Sequence, residues 1–239
     1  MDTWSVRFNK EGPSRSINFR NYEMGGIAGA YRFVQGKYPD DPELLPRHVA
    51  LLIEEHPRDE VGVFAHPREP GGKIWVDCLY AVNPFLSMAA KVLNRPDLHD
   101  ESIHQYLGME QQLFDTQLNL FHQVKNFGPN GCISNDTWGR GNGWALIGLV
   151  ELIKYLPDDH PQKKTMISKL QRMMQALVPL QAASGMWRQN LVTTESYEET
   201  SGTGLILYAM AMGINERWLS ESYQPVAEKA WQGLAKQVD

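Results

Sequence analysis

At 239 residues the chain can bury a substantial core in one domain, and 42% hydrophobic with 21% charged residues is ordinary globular composition. A formal charge of −5 with no Lys/Arg block speaks against a nucleic-acid partner. A small anionic ligand would need a local basic residue inside a pocket.

Residues 1–20 are polar and read as an N-terminal extension; from 21 to 239 nearly every periodic segment has the helical period. A first helix is predicted over 21–35. A second, over 41–56, sets Leu44, Val49, Leu52 and Ile53 on one stripe, with Asp41 and Pro42 as start signals. The Pro/Gly-rich stretch 57–72 reads as a long loop. Helices follow over 74–93, 98–125, 141–156, 159–182, 201–214 and 221–238, about eight in all, with no alternating strand of any length. The class is all-α. Segments 98–125 and 159–182 have mixed polar and apolar faces, as outer helices should. Those at 21–35, 74–93, 141–156 and 201–214 are richer in Gly, Ala, Ser and aromatics, which allows packing on several sides.

A weak internal repeat supports two layers. Three times a glycine-containing turn leads through an aromatic or polar segment into a small-residue helix: Gly62-Val63-Phe64 toward Ile74-Trp75-Val76-Asp77, Gly131-Cys132-Ile133 toward Trp138-Gly139-Arg140-Gly141, and Gly185-Met186-Trp187 toward Tyr197-Glu198-Glu199-Thr200-Ser201. In a ring of helical hairpins these three mouths converge on one end.

Two cysteines, Cys78 and Cys132, give no disulfide framework and fit a reducing compartment. The first residues lack the basic and apolar regions of a signal peptide, and no apolar run reaches the ~20 residues of a membrane span. A cytoplasmic protein without membrane contact is expected. The histidines show no zinc spacing, so neither metal nor cofactor is expected.

Asp77, in Trp75-Val76-Asp77-Cys78-Leu79-Tyr80, is the sharpest chemical feature. A carboxylate among apolar and aromatic neighbours is costly unless bonded or functional, and burial shifts a carboxyl toward general-acid duty. By composition alone a helix cap or a structural ion pair is the commoner explanation. In Trp138-Gly139-Arg140-Gly141-Asn142-Gly143-Trp144, an Arg fork suits a carboxylate and two indoles suit a sugar ring. Close helix packing with Arg140 bridged to Asp136 is the alternative. His122, read as lying on the long helix 98–125, is ordinarily structural, as is His66. Glu199 or Thr200 reads as a cap of the helix that follows, the alternative being that Glu198 or Glu199 lines the pocket.

Together these segments resemble family 105 glycoside hydrolases, the unsaturated rhamnogalacturonyl hydrolases, and more distantly family 88 unsaturated glucuronyl hydrolases. The matching run starts at Asn21-Tyr22-Glu23-Met24-Gly25-Gly26-Ile27. It continues through His66-Pro67, Ile74–Tyr80, Pro84-Phe85, Trp138–Trp144, Gly185-Met186-Trp187 and Tyr197–Ser201 to Ala230-Trp231-Gln232-Gly233-Leu234. The resemblance implies an (α/α)6 toroid, here incomplete, that hydrates the C4–C5 double bond of Δ4,5-unsaturated uronyl oligosaccharides left by pectin and rhamnogalacturonan breakdown. It makes Asp77 the proton donor and sets Trp75, His122, Trp138, Arg140, Trp144 and Tyr22 against the substrate. Two departures stand out. Gly25 occupies the place where the family carries a second pocket aspartate, and the family's domains have about twelve helices. An inactive or repurposed carbohydrate-binding toroid is therefore the rival reading, and an open ring favours a homodimer as the completing partner.

Overall fold

The computed structural model describes residues 43–65, 73–128 and 131–237. The expected extension 1–20, the helix at 21–35, and Tyr22, Gly25 and His66 lie outside these residues.

Helix α1 (Leu44–Ala50) runs into a π-helical turn, Leu51–Glu55, and buries Leu45, Val49 and Leu52. A two-residue strand, β1 (Ile74–Trp75), precedes α2 (Cys78–Leu93), whose residues from Cys78 to Ala90 are almost all buried. Pro84 removes one backbone donor inside α2. Nearby the buried Asn83 amide donates to the Ser102 carbonyl at 2.6 Å, and Ser87 and Ser102 hydroxyls meet at 3.0 Å, so polar bonds tie α2 to its neighbour. Asn94 ends α2 in the left-handed region (φ 53°), which lets the Arg95 N–H reach the Ala90 carbonyl.

Helix α3 (Asp97–Leu113) opens with Asp97 and Asp100 in its first turn, where the helix dipole favours acids. It stops far short of the expected residue 125. Phe114 is extended, and the Asp115 carboxylate accepts from the Gln117 and Leu118 amides at 2.7 and 3.0 Å. Asn119 takes a positive φ, so the chain reverses into an antiparallel hairpin of β2 (Phe114–Asp115) and β3 (Leu120–Phe121). The next strand, β4 (Val124–Lys125), pairs antiparallel with β1. His122 therefore lies on a hairpin exit, not on a helix.

The remaining helices are α4 (Gly139–Tyr155), α5 (Lys163–Leu177), α6 (Thr200–Asn215) and α7 (Gln224–Ala235). A 3-10 turn, Val178–Leu180, carries Pro179 and closes α5. Helix α4 packs between α2 and α6; α3 lies on α2, α5 on α4, and α7 on α6. The layers follow from composition. Outer α5 buries one stripe, Met166, Leu170, Met173, Met174 and Leu177. Inner α4 is buried nearly all round, and its small residues permit this. A Cβ on Gly148 would lie 2.6 Å from the Leu79 carbonyl oxygen, so α2 and α4 touch backbone to backbone there. The seven α-helices among the described residues form an inner α2–α4–α6 row with outer helices behind it, the arrangement of part of a helical toroid. No helix among them is long and apolar enough to cross a membrane.

Candidate active site

The segments that enter α2, α4 and α6 are laced together at one end of the inner row. β1 pairs with β4, and the Val76 N–H donates to the Gln123 carbonyl at 3.0 Å. The Ser134 hydroxyl oxygen accepts from the Gln123 and Val124 amides, which carries the belt to the segment before α4. From there the Gly139 N–H donates to the Gln189 carbonyl at 2.7 Å, Gln189 N–H to the Tyr197 carbonyl at 2.8 Å, and Glu199 N–H to the Trp187 carbonyl at 2.9 Å. The expected convergence of three mouths is met. Two glycines make the approach tight enough. A Cβ on Gly141 would lie 2.9 Å from Val76, beside Asp77, and one on Gly202 would lie 3.0 Å from the Arg140 amide.

Asp77 sits half-buried at the N-terminus of α2 with helical backbone angles, and its carboxylate makes no cap bond to the helix. The capping explanation is thereby removed. Trp75 is half-buried, its ring 5.5 Å from that of Phe127. Trp144 leans on Tyr80 at 4.4 Å, across the α2–α4 contact.

Arg140 is not the partner of Asp136 that the packing alternative supposed. Its Nη1 donates to the Glu199 carboxylate and, at 3.2 Å, to the Ser201 hydroxyl. Its guanidinium carbon stands 4.4 Å from the Trp138 ring centroid, a cation–π stack. Trp138 is 8% exposed, so its indole serves the arginine as a floor rather than standing bare. The Arg140 side chain keeps 39% exposure. Glu199 precedes α6 but does not cap it; its carboxylate is buried, with Oε1 accepting from Arg140 and the Ser201 hydroxyl.

His122 stands where the β3 strand leaves the core. Its Nδ1 is 3.3 Å from the Asp136 carbonyl and its Nε2 is 3.5 Å from the Asp115 carboxylate. Backbone amides of Leu118 and Gln117, with the His122 ring, hold the Asp115 carboxyl below its ordinary range. What fixes this strand is Asn142, fully buried in α4. Its carboxamide accepts from the Phe121 N–H at 2.8 Å and donates to the Phe121 carbonyl at 2.9 Å. Asn142 is the residue whose role sequence reasoning missed, and for Glu199 it missed the bond to Arg140. A buried amide inside a glycine-rich helix was the available signal for Asn142, since such a group must find partners. Among the described residues no group of three or more His, Cys, Asp or Glu could hold a metal ion.

The profile of Glycosyl Hydrolase Family 88 matches residues 16–239. The chain is 34% identical over 234 residues to the unsaturated 3S-rhamnoglycuronyl hydrolase of Formosa agariphila, covering 90% of this chain and 62% of that protein. It is 27% identical over 164 residues to the Bacillus subtilis unsaturated rhamnogalacturonyl hydrolase YesR, covering 66% of this chain and 48% of that one. A crystal structure described as a possible member of the GH105 family, from Salmonella enterica, superposes with a TM-score of 0.88 at 26% identity, covering 100% of this chain and 64% of that one. The chain thus spans less than two thirds of the length of these relatives.

Proposed function

This chain belongs to glycosyl hydrolase family 88, and from that membership we propose that it hydrolyses Δ4,5-unsaturated uronyl oligosaccharides by acid-catalysed hydration of the C4–C5 double bond. One observation carries the reading: the segments bearing Asp77, His122 and Arg140 are hydrogen-bonded into one belt at one end of the inner helices. The names of two relatives, which specify unsaturated rhamnoglycuronyl and rhamnogalacturonyl hydrolysis, support the same substrate class.

In this mechanism the Asp77 carboxyl gives its proton to C4. The positive charge left at C5 is shared with the ring oxygen, and water adds at C5, returning a proton to the Asp77 carboxylate. The resulting hemiketal opens to a C5 ketone, and C1 then releases the adjoining sugar. No cofactor takes part in these steps. Arg140, stacked on Trp138, binds the substrate carboxylate through the donors that Glu199 leaves free, while Trp75, His122 and Trp144 complete the substrate's surroundings.

The test follows the ultraviolet absorbance of the double bond. Loss of absorbance with an unsaturated disaccharide, against release of no sugar from its saturated counterpart, is the expected result. Binding without loss of absorbance would favour the carbohydrate-binding rival. Cytoplasmic residence belongs to the same proposal, resting on two free thiols, Cys78 and Cys132. So does a homodimer. An apolar groove of about 630 Å³ runs between α6 and α7, with Leu207, Tyr208, Ala211, Ala227 and Trp231 along it, and Trp231 is 66% exposed. A second copy covering this edge of the layered helices would bury that surface.

A further inference from the structure

We infer that Glu199 is a positioning residue: it fixes the Arg140 guanidinium so that its outer edge faces the substrate's carboxylate. The inference rests on the proposed recognition of that carboxylate by Arg140.

A guanidinium is planar and carries five N–H donors in a rigid fork. Here Nη1 is taken by Glu199 Oε1 and the Ser201 hydroxyl, and one face of the plane is stacked on Trp138. Three contacts define the plane and its rotation. The donors on Nε and Nη2 form the opposite edge, and the side chain is 39% exposed while Glu199's is 10% exposed. The acid is thus the buried anchor and the base the accessible end.

The anchor itself is rigid. The Glu199 N–H donates to the Trp187 carbonyl, and its carbonyl accepts from the Thr203 amide at 3.2 Å and hydroxyl at 2.7 Å. Gly202 closes the space beside it, since a Cβ there would lie 3.0 Å from both Glu199 Oε2 and the Arg140 amide. Oε2 is buried and has no hydrogen-bond partner among the described residues. Burial of this carboxylate strengthens its pull on the one cation bonded to it. Without it, Arg140 would keep its charge but lose its direction, and charge-assisted two-point contacts depend on direction.

The experiment compares an unsaturated uronyl disaccharide with its uncharged C6 methyl ester, measuring kcat and KM by absorbance and binding by calorimetry. For Glu199→Gln the preference for the acid over the ester is expected to fall about tenfold or more, through KM, with kcat for the ester within about twofold of the unaltered protein. Glu199→Asp, which keeps the charge, is expected to recover part of the preference. Glu198→Gln serves as the control, since Glu198 is exposed and bonded to Ser184, and should change neither. An unchanged preference in Glu199→Gln overturns the inference, and so does an equal loss on acid and ester, which marks a merely structural pair. If Glu199→Gln does not fold, Glu199→Asp is read by the same preference and with the same two overturning outcomes. Absence of turnover in the unaltered protein would reject the hydrolase reading instead, and the acid-versus-ester binding ratio would still decide the role of Glu199.

Discussion

Asp77 and Arg140 were legible as residues because each is chemically out of place: one carboxylate among aromatics, one fork between two tryptophans. Their partners were not legible. Arg140 reaches Glu199 59 residues away, and Asn142 holds Phe121 21 residues away, separations at which local spacing says nothing. Two outcomes belong to single residues. Arg140→Lys keeps the charge but not the planar fork, so binding of the unsaturated uronide should weaken about tenfold or more while the melting midpoint moves by only a few degrees. Calorimetry alongside thermal unfolding reads both; unfolding as the main effect would make Arg140 a structural partner of Glu199 alone. The second outcome concerns acid. The Asp115 carboxyl is held below its ordinary 3.8, chiefly by the Leu118 amide, with Gln117 and His122 contributing. Its folded value is the lower one, so its contribution to stability is present above the unfolded value and is lost as pH falls through the folded one. Acid unfolding of Asp115→Asn should therefore show a weaker pH dependence below about pH 4 than the unaltered protein. Superimposable acid limbs would show that the hairpin bonds of Asp115 do not matter to stability.

Among the elements, outer helices such as α5 were legible from a single buried stripe and inner ones such as α4 from the small residues that permit burial nearly all round. Boundaries went wrong where distant contacts decide. Leu113, Leu118 and Phe121 fit a helical period, yet Asp115 and Asn119 turn the chain, and Leu120 and Phe121 reach the core as strand residues instead. Likewise Ile74 and Trp75 are extended because they pair with Val124 and Lys125, which nothing in their own neighbourhood announces. The α4 helix offers two stability outcomes. Replacing Asn142 by Leu strands the Phe121 N–H and C=O in the core, each costing about 1–3 kcal/mol. Denaturant unfolding of Asn142→Leu should lose about 2–4 kcal/mol with an unchanged slope; a loss below ~1 kcal/mol would mean that β3 is held by something else. At Gly148, alanine gains about 1 kcal/mol of helix propensity, but its Cβ meets the Leu79 backbone, which cannot swing aside. Net destabilisation of about 1–3 kcal/mol is expected, and a stabilised Gly148→Ala would show that α2 and α4 can part without cost.

At the scale of the molecule, the threefold passage from glycine turn to inner helix was readable in the sequence and corresponds to the belt that carries the site. What covers the edge of α6 and α7 was not readable, because an apolar groove formed between two helices has no local sequence signature. Sedimentation at micromolar concentration should show a dimer that Trp231→Glu dissociates, since a charge in the apolar groove opposes burial. A monomer unaffected by that change would leave the edge uncovered by a second copy. The decisive measurement is turnover of a Δ4,5-unsaturated uronyl disaccharide, by loss of its ultraviolet absorbance, in the unaltered protein and in Asp77→Asn. The unaltered protein should turn it over, and the near-isosteric variant should be slower by about 10²–10⁴-fold with an unchanged melting midpoint. Equal rates in the two proteins, or no turnover in either, would contradict hydration by Asp77.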